Sequence, residues 1–350
     1  MDIVHPRCAG LDISERDVKV CVRVQEASRV KANATVTTWA ATTNQILALR
    51  DHLIEQRVTL VVMEATSDYW KPFFYVLEDG RFQIMLVNPR RVKNLPGRKT
   101  DVADARWLVD LGAHGLVRSS FVPPEPIRKR RDLTRMRTAI VRARSQEIQR
   151  LEKLLEDPGI KLSSVASDIT GVSSRAMLEA LVAGERDPSV LADLAQRRLR
   201  AKIPELTEAL TGRFSAHHAV MVRLYLNLID EHTRTLEELN VYIEEAIEPF
   251  RSARDLIVTI PGISTTVAEV IIAETLADMS RFPTAGHLAS WPGTVPGSNE
   301  SAGRVKSTHT RPGNPYLKGA LPVAALAASE TKNTYFSVRI PTSGLPTWLH

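Results

Sequence analysis

Residues 58–64, VTLVVME, constrain the fold more than any other stretch of the chain. The run is continuously apolar and rich in β-branched side chains, and it is too short for a buried helix. It therefore reads as a strand covered on both faces. Such a strand requires a layer on each side, which makes the N-terminal region α/β rather than an open sheet. It ends on Glu64. A carboxylate at that point is costly unless it is paired, solvated in a cleft or bound to a metal.

The flanking sequence supplies the rest of a mixed sheet. CAGLDISERDVKVCVRV (8–24) reads as two strands around a polar turn, and NATVTTWAAT (33–42) as a third. TNQILALRDHLIEQ (43–56) places Ile46, Leu49 and Leu53 on one helical stripe. A helix over 68–80, a buried strand over 82–89 and a helix from about Thr100 complete the order β-β-β-α-β-α-β-α. The two cysteines, Cys8 and Cys21, fall on consecutive strands. Two thiols make neither a disulfide framework nor a zinc spacing, which suits a reducing cytoplasm. The start MDIVHPRCAG has no apolar signal core, and the longest apolar stretches are too short to span a bilayer.

From Pro123 the composition changes. Residues 124–159 have helical periodicity, with Leu133, Met136, Ile140, Glu147, Leu151 and Leu154 near a heptad seam. Between Arg128 and Lys153 there are ten Lys or Arg against three Asp or Glu. That is either a solvated charged helix or one laid along a phosphate backbone through residues such as Arg130, Arg131, Arg135 and Arg142. The chain as a whole carries 46 Lys plus Arg against 40 Asp plus Glu, a net +6 that favours a polyanionic partner. Residues 224–249 form a second long helix, expected to pair with the first in antiparallel fashion. LIVTIPGISTTVAEVIIAET (256–275) places Pro261-Gly262 between two helical segments. This is either an ordinary tight turn or a helix-hairpin-helix-like element whose turn amides hold a phosphate near Gly262. A loop rich in Gly, Ser, Pro and basic residues follows over 290–321, and loops of that length usually carry function. The expected divisions are 1–122, 123–250, 251–336 and a tail over 337–350.

Four acids stand out as a set. Asp12 closes the first strand, Glu64 ends the buried run, and Asp101 and Asp104 share a helix face at i and i+3. Taken singly, Asp12 suits a turn, and the other two Asp suit a helix start where the dipole favours anions. Taken together, hard oxygen donors without His or Cys suit Mg²⁺ or Mn²⁺. Four carboxylates are enough for two ions, and two-metal sites cleave phosphodiesters. Arg98 and Lys99, just before the pair, would then face phosphates.

The order Asp12 in GLDIS, Glu64 in MEATSDYW, and Asp101 and Asp104 in GRKTDVADA resembles the Asp-Glu-Asp-Asp transposases of insertion-sequence family 110, which include the Piv-type DNA invertases. TIPGISTTVAEVIIAET and GTVPGSNESAGRVKSTHTRPGNPYLKGAL resemble that family's C-terminal transposase domain. The resemblance runs from about residue 8 to 335. It implies a fold similar to ribonuclease H and Holliday-junction resolvases, with the four acids as the metal site. It also implies Ser301 as nucleophile, a structured bridge RNA as guide, and oligomers, dimeric or tetrameric, on donor and target DNA. On its own merits, a serine in SNESAGR is an ordinary turn residue. Arg304, Lys306, His309, Arg311 and Lys318 follow it and would supply cations to a phosphorane. The ending VRIPTSGLPTWLH departs from the family's helical finish, an expectation of truncation that puts the activity of this copy in question.

Three rivals make different demands. An actin-like or sugar-kinase ATPase also begins with a strand ending in GxDI, but it needs Gly-rich phosphate loops that residues 58–112 lack. A junction-resolving nuclease without transposition accounts for the acids and leaves 290–320 unexplained. An inactive nucleic-acid-binding remnant would keep the basic surfaces alone.

Overall fold

The computed structural model describes residues 3–25, 33–89, 101–295, 297, 299–301, 303–310 and 312–339. The chain divides into two compact units, Met1–Val122 and Pro123–His350. Each is described by itself.

In the first unit, β1 (Arg7–Ile13), β2 (Asp17–Val24) and β3 (Asn33–Ala40) form an antiparallel meander. After α1 (Thr43–Glu55), β4 (Leu60–Glu64) pairs parallel to β1. After α2 (Trp70–Leu77), β5 (Gln83–Val87) pairs parallel to β4. The strand order is β3-β2-β1-β4-β5, so the two parallel pairs sit beside an antiparallel edge. Among the described residues, these elements follow the order expected from the sequence.

The two-faced burial of β4 follows from the alternation of side chains along a strand. Val61 and Met63 enter a core with Leu11, Ile13, Ile46, Leu49, Leu53, Phe73 and Leu77, which α1 and α2 cover. Leu60 and Val62 enter a second core with Cys8, Cys21, Ala105, Leu108, Val109 and Ala113, which α3 (Asp101–Ala113) covers. The second core admits the helix unusually close. A Cβ on Gly10 would lie 2.4 Å from the Ala105 carbonyl oxygen and 2.6 Å from the Val109 nitrogen, so only glycine fits there. Cys8 and Cys21 are buried free thiols in this core. Loss of water pushes the Cys8 thiol up to about 12 and raises that of Cys21 as well, so both stay protonated and act as small apolar residues.

The second unit is built on α4 (Glu125–Glu156), followed by α5 (Leu162–Val165), α6 (Val172–Ala183), α7 (Pro188–Asp193), α8 (Ile203–Ala209) and α9 (Ala216–Ile247). α4 and α9, 32 residues each, pack side by side. Their register is antiparallel, as expected: Arg130 donates to the Ala246 carbonyl, Arg137 reaches Asn240, and Arg144 donates to Thr233. At one end Leu151 and Leu155 meet Val222, Leu226 and Ile229 in a core shared with α5 to α8. The seam itself differs from the expected one. Met136 is exposed, and the inward positions are Ile127, Arg130, Thr134, Arg137, Ile140, Glu147, Leu151 and Leu155. The phase moved because arginines fill it, a choice that a search for apolar residues overlooks.

Beyond α9 come α10 (Arg251–Val258), α11 (Thr265–Thr275), α12 (Ala285–Ser290), the hairpin β6 (Asn299–Ser301)–β7 (Arg304–Ser307), α13 (Pro315–Glu330) and α14 (Tyr335–Arg339). Among the described residues no helix is long and apolar enough to cross a membrane. Residues 340–350, most of the expected atypical tail, lie outside the described residues.

Candidate metal-ion and nucleic-acid site

The parallel register of β1 and β4 pairs Gly10 with Val62 and Leu11 with Met63. One step further brings Asp12 level with Glu64, at the carboxyl ends of neighbouring strands. Strands in a sheet lie roughly 4.8 Å apart, so this is the closest approach two strands can offer two acids. Alternation also fixes the face. Leu11 and Ile13 point into the core under α1 and α2, and Asp12 therefore points to the other face with Cys8. Glu64 shares that face, two residues beyond Val62 and four beyond Leu60. Both acids are half-buried.

α3 covers this same face and runs opposite to β1. The Cys8 thiol donates to the Val109 carbonyl, and Gly10 lies against Ala105 and Val109. Continuing along β1 toward Asp12 means moving back along α3 toward its first turn, which carries Asp101 and Asp104. Asp101 is exposed and Asp104 half-buried. Asp12 and Glu64 thus end neighbouring strands, and Asp101 and Asp104 begin the helix that covers the same sheet face. Their donor chemistry, hard oxygen without nitrogen or sulfur, fits a divalent ion such as Mg²⁺. They are not closed into a shell: among the described residues no three His, Cys, Asp or Glu side chains stand close enough to hold an ion. Arg98 and Lys99 lie outside the described residues.

The basic face expected on α4 is a correction. Arg130 is 3% exposed, donates to the Ala246 carbonyl and stacks 3.9 Å over the Phe250 ring. Arg131 donates to the carbonyls of Ala273 and Glu274. Arg135 makes a two-pronged pair with Glu274 at 2.8 and 2.9 Å and lies over the Tyr316 ring. Arg137 pairs with the buried Glu269 at 2.6 Å. Arg130 holds α4 to the end of α9, and Arg131, Arg135 and Arg137 hold it to α11, so these groups are engaged within the protein. Glu274 is itself 1% exposed, and its hydrogen bond to Arg135 raises the pKa of that guanidinium, while burial lowers that of Arg131. Of the four arginines expected to contact nucleic acid, Arg142 alone is exposed. Arg142→Gln is accordingly expected to lower the salt slope of DNA binding by up to about one unit and to leave the melting temperature unchanged. Arg135→Gln should do the reverse, and a parallel set of binding isotherms and melts separates the two.

Gly262 also has a structural explanation. Its φ is +84°, and a Cβ there would lie 2.3 Å from the Ala324 carbonyl oxygen. It lets the turn between α10 and α11 close onto α13. Ser264 caps α11 by accepting from the Val267 amide, which leaves the turn exposed around Ser264 and Thr265.

Ser301 lies at the turn end of the β6–β7 hairpin, where its backbone pairs with Arg304, and Gly303 turns the chain at φ +76°. Arg304 and Lys306, two residues apart on β7, are exposed on one side of it. Arg311 lies outside the described residues. The loop that carries the hairpin is pinched at its base. The Asn314 amide donates to the Trp291 carbonyl at 3.0 Å, and Gly313 presses on the backbone of Pro292 and Gly293. Asn314 also caps α13 and donates to Glu274 at 2.6 Å. Glu269, Glu274 and Asn314 were absent from the sequence reading. The available signal was two glutamates set in the apolar stripe of α11, VAEVIIAET, which cannot be buried without cations.

The first unit is α/β with acids at two strand ends, and the second is largely helical with an exposed basic hairpin. Comparison with known proteins makes this specific. Residues 9–158 match the family model described as Transposase, of the DEDD type of IS110, and residues 254–339 match that of the transposase IS116/IS110/IS902 family. The chain belongs to the IS110 family of transposases. It is similar to the insertion element IS110 uncharacterized 43.6 kDa protein of Streptomyces coelicolor, at 32% identity over 117 residues. That match takes in 32% of this chain and spans 27% of the relative's length.

Proposed function

We propose that the protein is a DNA transposase that cuts and rejoins strands of DNA with a carboxylate-held divalent metal and a serine nucleophile. The observation that carries this reading is the placement of Asp12 level with Glu64, on the sheet face covered by the helix whose first turn holds Asp101 and Asp104. The sheet order, with an antiparallel meander beside two parallel strands, supports a ribonuclease H-like or resolvase-like fold. The α10–α11 turn at Gly262 supports a helix-hairpin-helix-like phosphate contact. Mg²⁺ or Mn²⁺, when held by these acids, would offset charge on the attacked phosphate and on the leaving oxygen.

The chain's own groups then have separate tasks. The Ser301 hydroxyl oxygen bonds to phosphorus, and the bridging deoxyribose oxygen leaves, taking up a proton in place of the one the hydroxyl gives up. A phosphoserine link conserves the bond for rejoining, which hydrolysis would discard. Arg304 and Lys306 bind the phosphates on either side. A structured guide RNA and an assembly of several copies on donor and target DNA belong to the same proposal.

Denaturing gels with labelled DNA test it. A covalent adduct is expected for the native chain and for Ser307→Ala, and none for Ser301→Ala. An adduct that survives Ser301→Ala overturns the serine assignment.

A further inference from the structure

The C-terminal unit contains a cavity of about 890 Å³ that the chemistry above does not use. Its floor is apolar, formed by Leu321, Pro322 and Ala325 of α13. Its rim is polar, formed by Thr294, Thr308, Thr310, His309 and Lys318. The helix that forms the floor is also interrupted. Pro322 lies inside α13 and has no N–H, so the Lys318 carbonyl receives no amide from the fourth residue on. The cavity is bordered by three threonines, His309 and Lys318; the Thr294 hydroxyl donates to the Ala289 carbonyl, and the Thr310 hydroxyl accepts from Lys318.

Its position follows from the hairpin. β7 runs from the turn at Ser301 and Arg304 to Ser307, and the next residues, Thr308 to Thr310, enter the cavity wall. The Gly297 amide donates to the His309 carbonyl at 2.9 Å and closes the hairpin base there. Four strand residues at ~3.3 Å each place the rim about 13 Å from the Ser301 turn, a few nucleotides away along a strand. Exposed Arg304 and Lys306 mark the path between them. Lys318, held by Thr310 at 2.9 Å, stands at its end.

We infer that this cavity receives a single unstacked nucleobase of the DNA strand that Ser301 attacks. A base has two apolar faces and an edge of donors and acceptors. The aliphatic floor suits the faces, the threonines suit the edge, and Lys318 and His309 suit the attached phosphate. The volume lies in the range of small-molecule sites and exceeds what one side chain would fill. The inference rests on the proposed serine chemistry for its location, and it assigns the cavity a task that chemistry does not need: reading the strand beside the break.

The test uses the full chain and short single-stranded DNA carrying one 2-aminopurine, a base that brightens when it leaves the stack. Binding is followed by anisotropy and base emission on the same sample. The native chain should raise the emission several-fold. Ala325→Trp, which fills the floor from an exposed helix position, should abolish the rise at saturating protein while leaving the salt dependence of binding unchanged. Lys318→Gln should reduce the rise and keep the fold. Equal emission from the native chain and Ala325→Trp, at equal binding, overturns the cavity assignment. Adduct formation by Ser301 is scored separately, so failure of the serine reading, with no adduct but a retained rise, is distinguishable from failure of the base pocket.

Discussion

Asp12→Asn is expected to reduce DNA strand cleavage by about a thousandfold or more, while the protein folds as before. The estimate follows from what a metal-held phosphate requires. Charge stabilisation worth several kcal/mol is at stake, and each ~1.4 kcal/mol is a factor of ten in rate. Asn keeps the shape of the side chain at the end of β1, so neither the sheet register nor the packing of α3 on Gly10 should change. Removing one of two carboxylates that lie level on adjacent strands relieves repulsion, and the melting temperature should hold or rise. Glu64→Gln and Asp104→Asn should behave alike. Asp110→Asn is the internal control. Asp110 lies on the same helix, faces Arg23 at 3.6 Å and is far from the first turn, so cleavage should persist. Mn²⁺ binding followed by electron paramagnetic resonance adds a readout apart from activity. Full cleavage by Asp12→Asn, with native ion binding, would remove the carboxylate set from the chemistry.

Glu274→Ala is expected to destabilise the second unit by about 3–5 kcal/mol, among the largest effects any single side chain there can produce. The carboxylate is fully buried and accepts from Arg135 twice and from Asn314, with Arg131 at 3.3 Å. Its removal leaves the Arg131 charge, 12% exposed, without its counter-ion. Arg135, at 35% exposed, can turn to water, so Arg135→Ala should cost more than a surface pair, worth under about 1 kcal/mol, and less than Glu274→Ala. Denaturant midpoints of the three proteins measure the order. The loop pinched by Asn314 should loosen in Glu274→Ala, seen as faster amide exchange over 291–314. A loss below ~1 kcal/mol would mean that the cluster is worth no more than surface ion pairs.

The sheet was legible because its signals are local. VTLVVME declares two-sided burial within seven residues, and VKVCVRV declares one strand by alternation. The strand ends that carry Asp12 and Glu64, and the helix start that carries Asp101 and Asp104, were legible for the same reason, since each is marked within a few residues of sequence. The basic helix was misread because burial of a charge is decided by partners far along the chain. Arg135 and Glu274 are 139 residues apart. Neither RDLTRMR nor VIIAET shows that the other exists. A ten-to-three charge ratio looks the same whether its arginines meet phosphate or glutamate. The glycines tell a similar story, since the closeness of α3 to β1 at Gly10 rests on a helix that begins some ninety residues later.

The equal lengths of α4 and α9 turn the second unit into a ruler. At ~1.5 Å per residue each helix measures about 48 Å, and Arg130 at the arginine-locked end of α4 stands about 32 Å from Leu151 at the leucine-packed end. That separation is set by the count of residues and by little else. A deletion of two residues in one helix would rotate everything beyond it by roughly half a turn and break the pairing of Arg130, Arg137 and Arg144 with their partners on α9. Seven residues removed from both helices together would shorten the span by about 10 Å and twist it by only ~20°. Paired changes of seven or eleven residues therefore alter the reach of the strut while nearly keeping its phase, whereas a paired change of two turns it by about half a turn.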